Sequence, residues 1–302
     1  MWLELQIFGF RALWSPYFFL FVLGLGILYF LITGPYRKKF GGDVAKPTVA
    51  QQWFFYVALL LLYVVKGSPI DLLTHIMLSA HMAQMAIYYI VFPILILKGI
   101  PEWIWLKLIN QPIVRPLFRL FTKPLISLLL FNGLFSLYHI PAVFDFSKSS
   151  QLAHSSISII ILIAAFIMWW PIVAPIRKHD TIPPLLKMAY IIGGTILITP
   201  ACVLIIFADN PLFAAYGSGG AWIQALSLCV PTDVLDGIAN ELSGPEMFSP
   251  MSRMEDQQLG GIVMKIMQEI VYGIMIAEIF FKTFSKESKK IDPLPKNVSE
   301  TR

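Results

Sequence analysis

The sequence has 302 residues, of which 57% are apolar and only 14% are charged. A soluble protein of this length carries about 25% charged residues, so the composition excludes a soluble globular protein and indicates an integral membrane protein. The net charge of +5 would suggest nucleic-acid binding in a soluble chain. Here the basic residues lie in short loops between apolar segments, as membrane topology produces, and we expect no nucleic-acid partner.

Seven apolar segments approach or exceed the roughly 20 residues that a helix needs to cross a bilayer. The second segment is short, and proline lies inside several others, which membrane helices tolerate. The predicted fold is therefore all-α, a bundle of seven transmembrane helices. It forms a single membrane domain over residues 1–285, followed by a basic cytoplasmic tail over residues 286–302 that we expect to be disordered. The predicted spans are residues 13–33, 50–66, 71–97, 121–140, 152–174, 185–208 and 260–284.

The distribution of lysine and arginine predicts how the bundle is oriented. Four segments on one side hold most of the 23 lysines and arginines, namely residues 36–49, 98–123, 175–187 and 282–302. The loops of the other side hold only Arg11, Lys66, Lys148 and Arg253. Cytoplasmic loops are enriched in basic residues, so we predict that the N-terminus lies outside and the C-terminus in the cytoplasm. The alternative, six helices with a re-entrant second segment, would place basic loops on both sides.

Four of the five histidines lie in the predicted outer half of the bundle. The third predicted span carries His75 near its outer end and His81 at a depth of roughly 15 Å. His139 lies at the outer end of the fourth span, and His154 lies at the outer start of the fifth. Only His179 is elsewhere, in a basic cytoplasmic loop. Ionisable residues inside a membrane are rare and often functional, so this distribution indicates a site.

Methionines lie beside these histidines and favour a copper site. On a continuous helix, Met77, His81 and Met85 form one stripe at positions i, i+4 and i+8, with His75 about 120° away from His81. Neutral imidazole and thioether suit copper, particularly Cu(I), whereas calcium and magnesium prefer oxygen ligands. The predicted ligands are His75, His81, Met85, His139 and His154, with Met77 as a further candidate. The alternative is that each histidine only forms a hydrogen bond inside the bundle.

The longest predicted outer loop ends in the sequence MFSPMSRMEDQQ. Met247, Met251 and Met254 are spaced i, i+4 and i+7, and Asp256 follows them. Two interpretations are open: these methionines capture copper outside the membrane, or they fill an amphipathic segment that lies on the bilayer. Pro250 argues against one regular helix through all three. Met251, Met254 and Asp256 complete the predicted metal-site residues.

Other polar and sulfur side chains are candidates for supporting roles. Hydrogen bonds commonly orient metal-binding imidazoles. The candidates for that role are Asp145, Asp256, Gln84 and Tyr88. Cys202 and Cys229 both lie on the predicted outer side, where a disulfide is possible; we favour the alternative that each is a small buried residue. Glu269, an acid within the last span, is expected to anchor a polar contact inside the bundle.

Four short motifs together resemble one membrane family. They are HMAQM at residues 81–85, YHIP at 138–141, MWWP at 168–171 and DQQLGG at 256–261. Their order and helix positions resemble those of the CtaG-type cytochrome c oxidase assembly factors, a polytopic family linked to the caa-type oxidase of Gram-positive bacteria. The resemblance covers nearly the whole chain. The family usually has a second histidine after the glutamine of the first motif; Met85 takes that place here, which fits a site that contains methionine.

The resemblance implies a role in forming the copper B centre of cytochrome c oxidase subunit I. We therefore expect a multi-pass protein in the plasma membrane of a Gram-positive-like bacterium, which is not an enzyme. It would take copper from an extracytoplasmic donor and pass it by ligand exchange to subunit I, and a homodimer could complete its site. Two alternatives remain open: a haem-binding oxidoreductase with two histidine ligands, and a copper transporter.

Overall fold

The computed structural model describes residues 2–41, 44–176, 178, 180–217, 219–238, 242 and 244–291. All regular structure within these ranges is helical, which confirms the predicted all-α class. The α-helices are α1 (Trp2–Leu5), α2 (Gly9–Trp14), α3 (Pro16–Thr33), α4 (Arg37–Gly41), α5 (Val49–Gly67), α6 (Pro69–Ile76), α7 (Leu78–Met85), α8 (Phe92–Gly99), α9 (Glu102–Ile109), α10 (Val114–Phe121), α11 (Pro124–Tyr138), α12 (Pro141–Lys148), α13 (Gln151–Val173), α14 (Pro184–Ile206), α15 (Gly220–Leu226), α16 (Thr232–Ile238) and α17 (Arg253–Ile291). A π-helix spans Ala86–Val91, and short 3₁₀ helices span Gln6–Phe8, Ala214–Tyr216 and Pro245–Met247.

Six helical segments among the described residues are long and apolar enough to cross a membrane. They are Gln6–Thr33, Val49–Gly67, Leu78–Gly99, Gln151–Val173, Pro184–Ile206 and Arg253–Ser285. A seventh span results if α10 and α11, which meet at 86°, are counted together. Large apolar side chains remain exposed along the outer faces of these helices, as a lipid environment requires. The chain is therefore a multi-pass helical bundle, and its orientation in the membrane stays a prediction.

The ends of the bundle differ from the predicted boundaries. The first span begins at Gln6 rather than residue 13. The last helix, α17, begins at Arg253 and continues to Ile291, into the segment predicted as a tail. The remainder of that tail, residues 292–302, lies outside the described residues, as does His179.

The third predicted span is not one continuous helix, so that prediction was wrong. Helix α6 ends at Ile76, Met77 is extended with φ −123° and ψ 130°, and α7 begins at Leu78. The stripe of Met77, His81 and Met85 is therefore not on a single helix: only His81 and Met85 share α7, and Met77 lies at the break.

A carboxylate from the last helix stabilises this break. Asp256 of α17 accepts hydrogen bonds from the backbone N–H groups of Leu78, at 2.6 Å, and of Ser79, at 3.2 Å. It also accepts a hydrogen bond from the Ser79 hydroxyl. A helix that begins inside a protein leaves its first N–H groups without partners, and a negative charge there also complements the helix dipole. Asp256 thus provides hydrogen-bond acceptors for N–H groups that have no partner within α7.

The apolar interior consists of two clusters. The larger one lies between the spanning helices. The smaller one joins the N-terminal helices to α6, α15 and α16 at one end of the bundle. We call this smaller unit the cap; its buried apolar residues are Leu5, Phe8, Ala12, Leu13, Leu72, Ile76, Trp222, Leu226, Val230, Leu235 and Phe248. The predicted outer loop is thus folded structure that covers α6.

Two adjacent glycines let α17 approach both α7 and α14. A β-carbon at Gly260 would lie 3.2 Å from Met82 Cγ, and one at Gly261 would lie 2.6 Å from Ile206 Cγ1. The nearby Gln257 accepts a hydrogen bond from the Leu212 N–H at 2.7 Å. The sequence DQQLGG therefore packs α17 against the other elements through Asp256, Gln257 and the two glycines, which have different neighbours.

We predict that Asp256→Ala loosens α7. The variant leaves two backbone donors buried without their acceptor, which should lower the free energy of unfolding by about 1–3 kcal/mol. Hydrogen–deuterium exchange measured on peptides from α7 should accelerate. The matched control is Asp209→Ala, which removes an exposed carboxylate. Unchanged exchange in α7 of Asp256→Ala would show that this carboxylate does not hold the break.

We also predict opposite effects of alanine at two glycines of α17. Gly261→Ala forces a β-carbon against Ile206, and such overpacking costs about 1–3 kcal/mol. At Gly273 no described heavy atom lies within 4 Å of the β-carbon position, so Gly273→Ala should gain up to about 1 kcal/mol from helix propensity. Thermal unfolding in detergent, followed by tryptophan fluorescence, measures both. If both variants shifted Tm equally and in the same direction, the close packing of α17 against Ile206 at Gly261 would be contradicted.

Candidate metal site

The structure places the four predicted histidines at the end of the bundle that carries the cap. His75 comes from α6, His81 from α7, His139 from the C-terminus of α11, and His154 from the first turn of α13. His75, His81 and His139 are buried, and His154 is half-buried. We call this end of the bundle the histidine end. The predicted grouping at one level is thus observed, although the side chains divide into separate surroundings.

His75 and His154 form a pair, with ring centroids 5.8 Å apart. Beside them lies Lys148, whose Nζ is 3.5 Å from His75 Nδ1 and whose side chain is 2% exposed. Burial of the ammonium group, and then the nearby charge of Lys66, lower the pKa of Lys148 to about 7. The amine is therefore partly neutral near pH 7 and can either donate to or accept from the imidazole.

A second polar cluster surrounds Lys66 on the neighbouring helix. Its ammonium group donates to Gln84 Oε1 at 3.2 Å and lies 3.7 Å from Asp71 Oδ1. Gln84 donates in turn to Asp71 at 2.8 Å, and Lys66 stands 5.5 Å from the centre of the Tyr88 ring. Gln84 and Tyr88, predicted to orient imidazoles, therefore interact with a lysine instead.

His81 connects two of the sequence motifs. Its Nε2 lies 3.3 Å from the hydroxyl of Tyr138, so that HMAQM and YHIP meet. The imidazole also packs edge-on against Phe144, with ring centroids 5.3 Å apart. The other nitrogen, Nδ1, is buried and has no hydrogen-bond partner among the described residues.

His139 has a defined tautomer. Its Nδ1 lies 2.7 Å from the carbonyl oxygen of Phe135, and since a carbonyl can only accept, Nδ1 carries the hydrogen. The lone pair is then on Nε2, which is buried and unpartnered within the described structure. His139 lines a small cavity together with the sulfur-containing side chains of Met82, Cys202 and Met264.

The predicted methionines are distributed over different environments. Met85 is buried in the larger apolar cluster. Met77 and Met251 line one crevice between the α6–α7 break and the segment that leads into α17. Met254 lies in the first turn of α17, and Met247 ends a 3₁₀ helix and is exposed. Met247, Met251 and Met254 do not share one helix, in agreement with the argument from proline.

Both carboxylates predicted near the site bind backbone groups. Asp256 holds the start of α7, as described above. Asp145 accepts hydrogen bonds from the N–H groups of Ala214 and Ala215, at 3.2 and 3.1 Å. Their oxygens are thus used to fix helix ends. In the last span, Glu269 pairs with Lys265 of the same helix at 2.7 Å and is exposed, so it does not anchor a contact inside the bundle as predicted.

Among the described residues, no three side chains of His, Cys, Asp and Glu converge in a way that could hold a metal ion. The single pocket expected to gather the four imidazoles is therefore not formed by them: His75 pairs with His154, while His81 and His139 each have their own neighbours. Cys202 and Cys229 are both free thiols within the described part of the chain.

The sequence interpretation missed four residues of this region. They are Lys148, Met82, Cys202 and Met264 as neighbours of the histidines. One signal was available: two adjacent glycines mark a closely packed face of α17, and Met264 follows Gly261 by three residues, on the same face. Nothing in the sequence around Lys148 shows that its ammonium group is buried.

Comparison with known proteins identifies a family for this chain. The family model described as cytochrome c oxidase caa3 assembly factor (Caa3_CtaG) matches residues 27–286, a range that contains all four motifs and all four histidines of the histidine end. Searches of curated proteins and of solved structures found no match. Because the family match covers most of the chain, this multi-pass membrane protein belongs to the cytochrome c oxidase caa3 assembly factors.

Proposed function

We propose that this assembly factor binds copper at the histidine end and supplies it to subunit I of the oxidase for the copper B centre. One observation carries the proposal: His81, His139 and His154 each keep a ring nitrogen buried with no hydrogen-bond partner in the described structure. An unsatisfied buried polar group costs about 1–3 kcal/mol. Coordination of copper by any one of these nitrogens would remove the cost of leaving that nitrogen unsatisfied.

The donor atoms at this end favour a soft cation. Neutral imidazole and thioether sulfur suit Cu(I), whereas calcium and magnesium require several oxygen ligands. The two carboxylates nearby, Asp145 and Asp256, already bind backbone N–H groups. The available donors are therefore nitrogen and sulfur.

Ligand exchange is the step that the proposal requires. A donor on the outer side would release copper to the histidine end, and groups of subunit I would then replace the imidazoles one at a time. No bond within a substrate is made or broken, so the protein would act as a carrier and not as an enzyme. The proposal takes the histidine end as extracytoplasmic, in accordance with the predicted orientation, and allows for a homodimer.

We predict that removing the four imidazoles abolishes delivery. Cells that lack the protein would be complemented with the wild type or with the variant His75→Gln/His81→Gln/His139→Gln/His154→Gln. The oxidase purified from the variant strain should contain its haems but lack most of its copper B, as measured by metal analysis relative to haem. His179→Gln, which changes the histidine of the predicted cytoplasmic loop, is the control and should leave the copper content unchanged.

Two results would contradict this function. A full copper B content in the variant strain, with the variant protein present in the membrane, would show that the imidazoles are not needed. A Soret band in the purified assembly factor itself would instead favour the haem-binding alternative.

A further inference from the structure

We propose that the small cavity between α7, α11, α14 and α17 is a dry Cu(I) site. Its donors are Nε2 of His139, the thioether sulfurs of Met82 and Met264, and the sulfur of Cys202. The inference rests on the proposed function, since it names the place where the copper is held. It differs from the predicted set of ligands, because only His139 is common to both.

The cavity contains a nitrogen that is prepared for a ligand. His139 is 1% exposed, and its Nδ1 hydrogen is engaged by Phe135, so Nε2 presents a lone pair. No described residue donates a hydrogen bond to it. The surrounding sulfur residues are equally inaccessible, with exposed fractions of 0% for Met82, 1% for Met264 and 3% for Cys202.

A water molecule cannot act as the hydrogen-bond partner of His139 Nε2. The cavity has no space for a water molecule, and its remaining described walls are Phe135, Ala201, Ile205 and Gly261. A buried water also needs two or more polar partners, which these walls do not offer. A bare metal ion is smaller than water and needs only the donors that are present.

The type of donor selects the metal. Thiolate and thioether sulfur favour Cu(I), and no carboxylate is found among the described residues that line the cavity. If Cys202 coordinates as a thiolate, its S–H bond is broken, one proton leaves to the solvent, and the charges of thiolate and Cu(I) cancel. A neutral complex avoids most of the cost of placing a charge in a low-dielectric interior. The oxidation state of the copper does not change in this step.

The packing of α17 builds the site. Gly260 allows close contact with Met82, and a β-carbon at Gly261 would lie only 3.4 Å from the carbonyl oxygen of Cys202. Asp256, one turn before these glycines, fixes the start of α7 and hence the position of Met82. The DQQLGG motif therefore packs α17 where Met82, Cys202 and Met264 line one cavity with His139.

We predict that replacing the two thioethers removes copper from this site. The full chain in detergent would be loaded with Cu(I) without oxygen and titrated with a chromophoric Cu(I) chelator. X-ray absorption should find one nitrogen and three sulfur neighbours of copper in the wild type. In Met82→Leu/Met264→Leu, a nearly volume-conserving change, the sulfur neighbours should decrease to one and the affinity should fall at least about tenfold.

Three further variants make the test specific. Met275→Leu changes a buried methionine of α17 that does not line the cavity, and it should bind copper like the wild type. Met85→Leu changes a methionine predicted as a ligand from the sequence, and it tests that rival ligand set. Cys202→Ala, which needs no extra space, should lose one sulfur neighbour and the release of a proton. Circular dichroism and Tm would establish that each variant is folded.

The outcomes separate the site from the function. If Met82→Leu/Met264→Leu keeps the wild-type sulfur count and affinity, while His75→Gln/His154→Gln loses copper, the cavity is not the site but the proposed function stands. The same holds if Met85→Leu loses a sulfur neighbour and the cavity variant does not. If the wild type binds no Cu(I), both the site and the copper function are wrong.

Discussion

The carboxylate of Asp256 accepts hydrogen bonds from the first two backbone N–H groups of α7, and this contact allows the chain to break inside its third apolar segment. An unsatisfied backbone group is costly in a protein interior, so a helix that begins there needs an acceptor from another part of the protein. Because of the break, the axis of α6 does not have to continue the axis of α7. As a result α6 packs within the cap, where His75 meets His154.

Two sides of helix α7 face different groups of residues. His81 interacts with Tyr138 and Phe144, whereas the adjacent Met82 lines the cavity of His139. Successive residues of a helix are about 100° apart, so neighbours in sequence face different surroundings. Helix α11 repeats this arrangement, since Tyr138 contacts His81 and the next residue, His139, lines the cavity. The motifs HMAQM and YHIP thus meet at two places. The imidazole of His81 lies beside the hydroxyl of Tyr138, and Met82 and His139 line the same cavity.

Hydropathy was sufficient to predict the class of the fold and most of the spans, and the alternating direction of the spans placed four histidines at one end. The class and the spans depend on whether each helix is surrounded by lipid or water, so the hydropathy of each sequence segment by itself is enough to predict them. The break at Met77 could not be predicted, because neither proline nor glycine occurs at it and the residue that stabilises it is more than 170 positions away. The burial of Lys148 and the approach of Met264 to Met82 are likewise products of tertiary packing.

The residues of the DQQLGG motif have physical roles that the sequence pattern alone does not reveal. In DQQLGG, the aspartate caps α7, the first glutamine accepts from Leu212, and the two glycines admit Met82 and Ile206. All of these roles are structural, since each one fixes α17 against a neighbouring element. Because the cavity, the start of α7 and the glycine contacts all depend on α17, a displacement of this helix would open the cavity and uncap α7 at the same time. Access to the cavity and the stability of the broken span are therefore coupled through one helix.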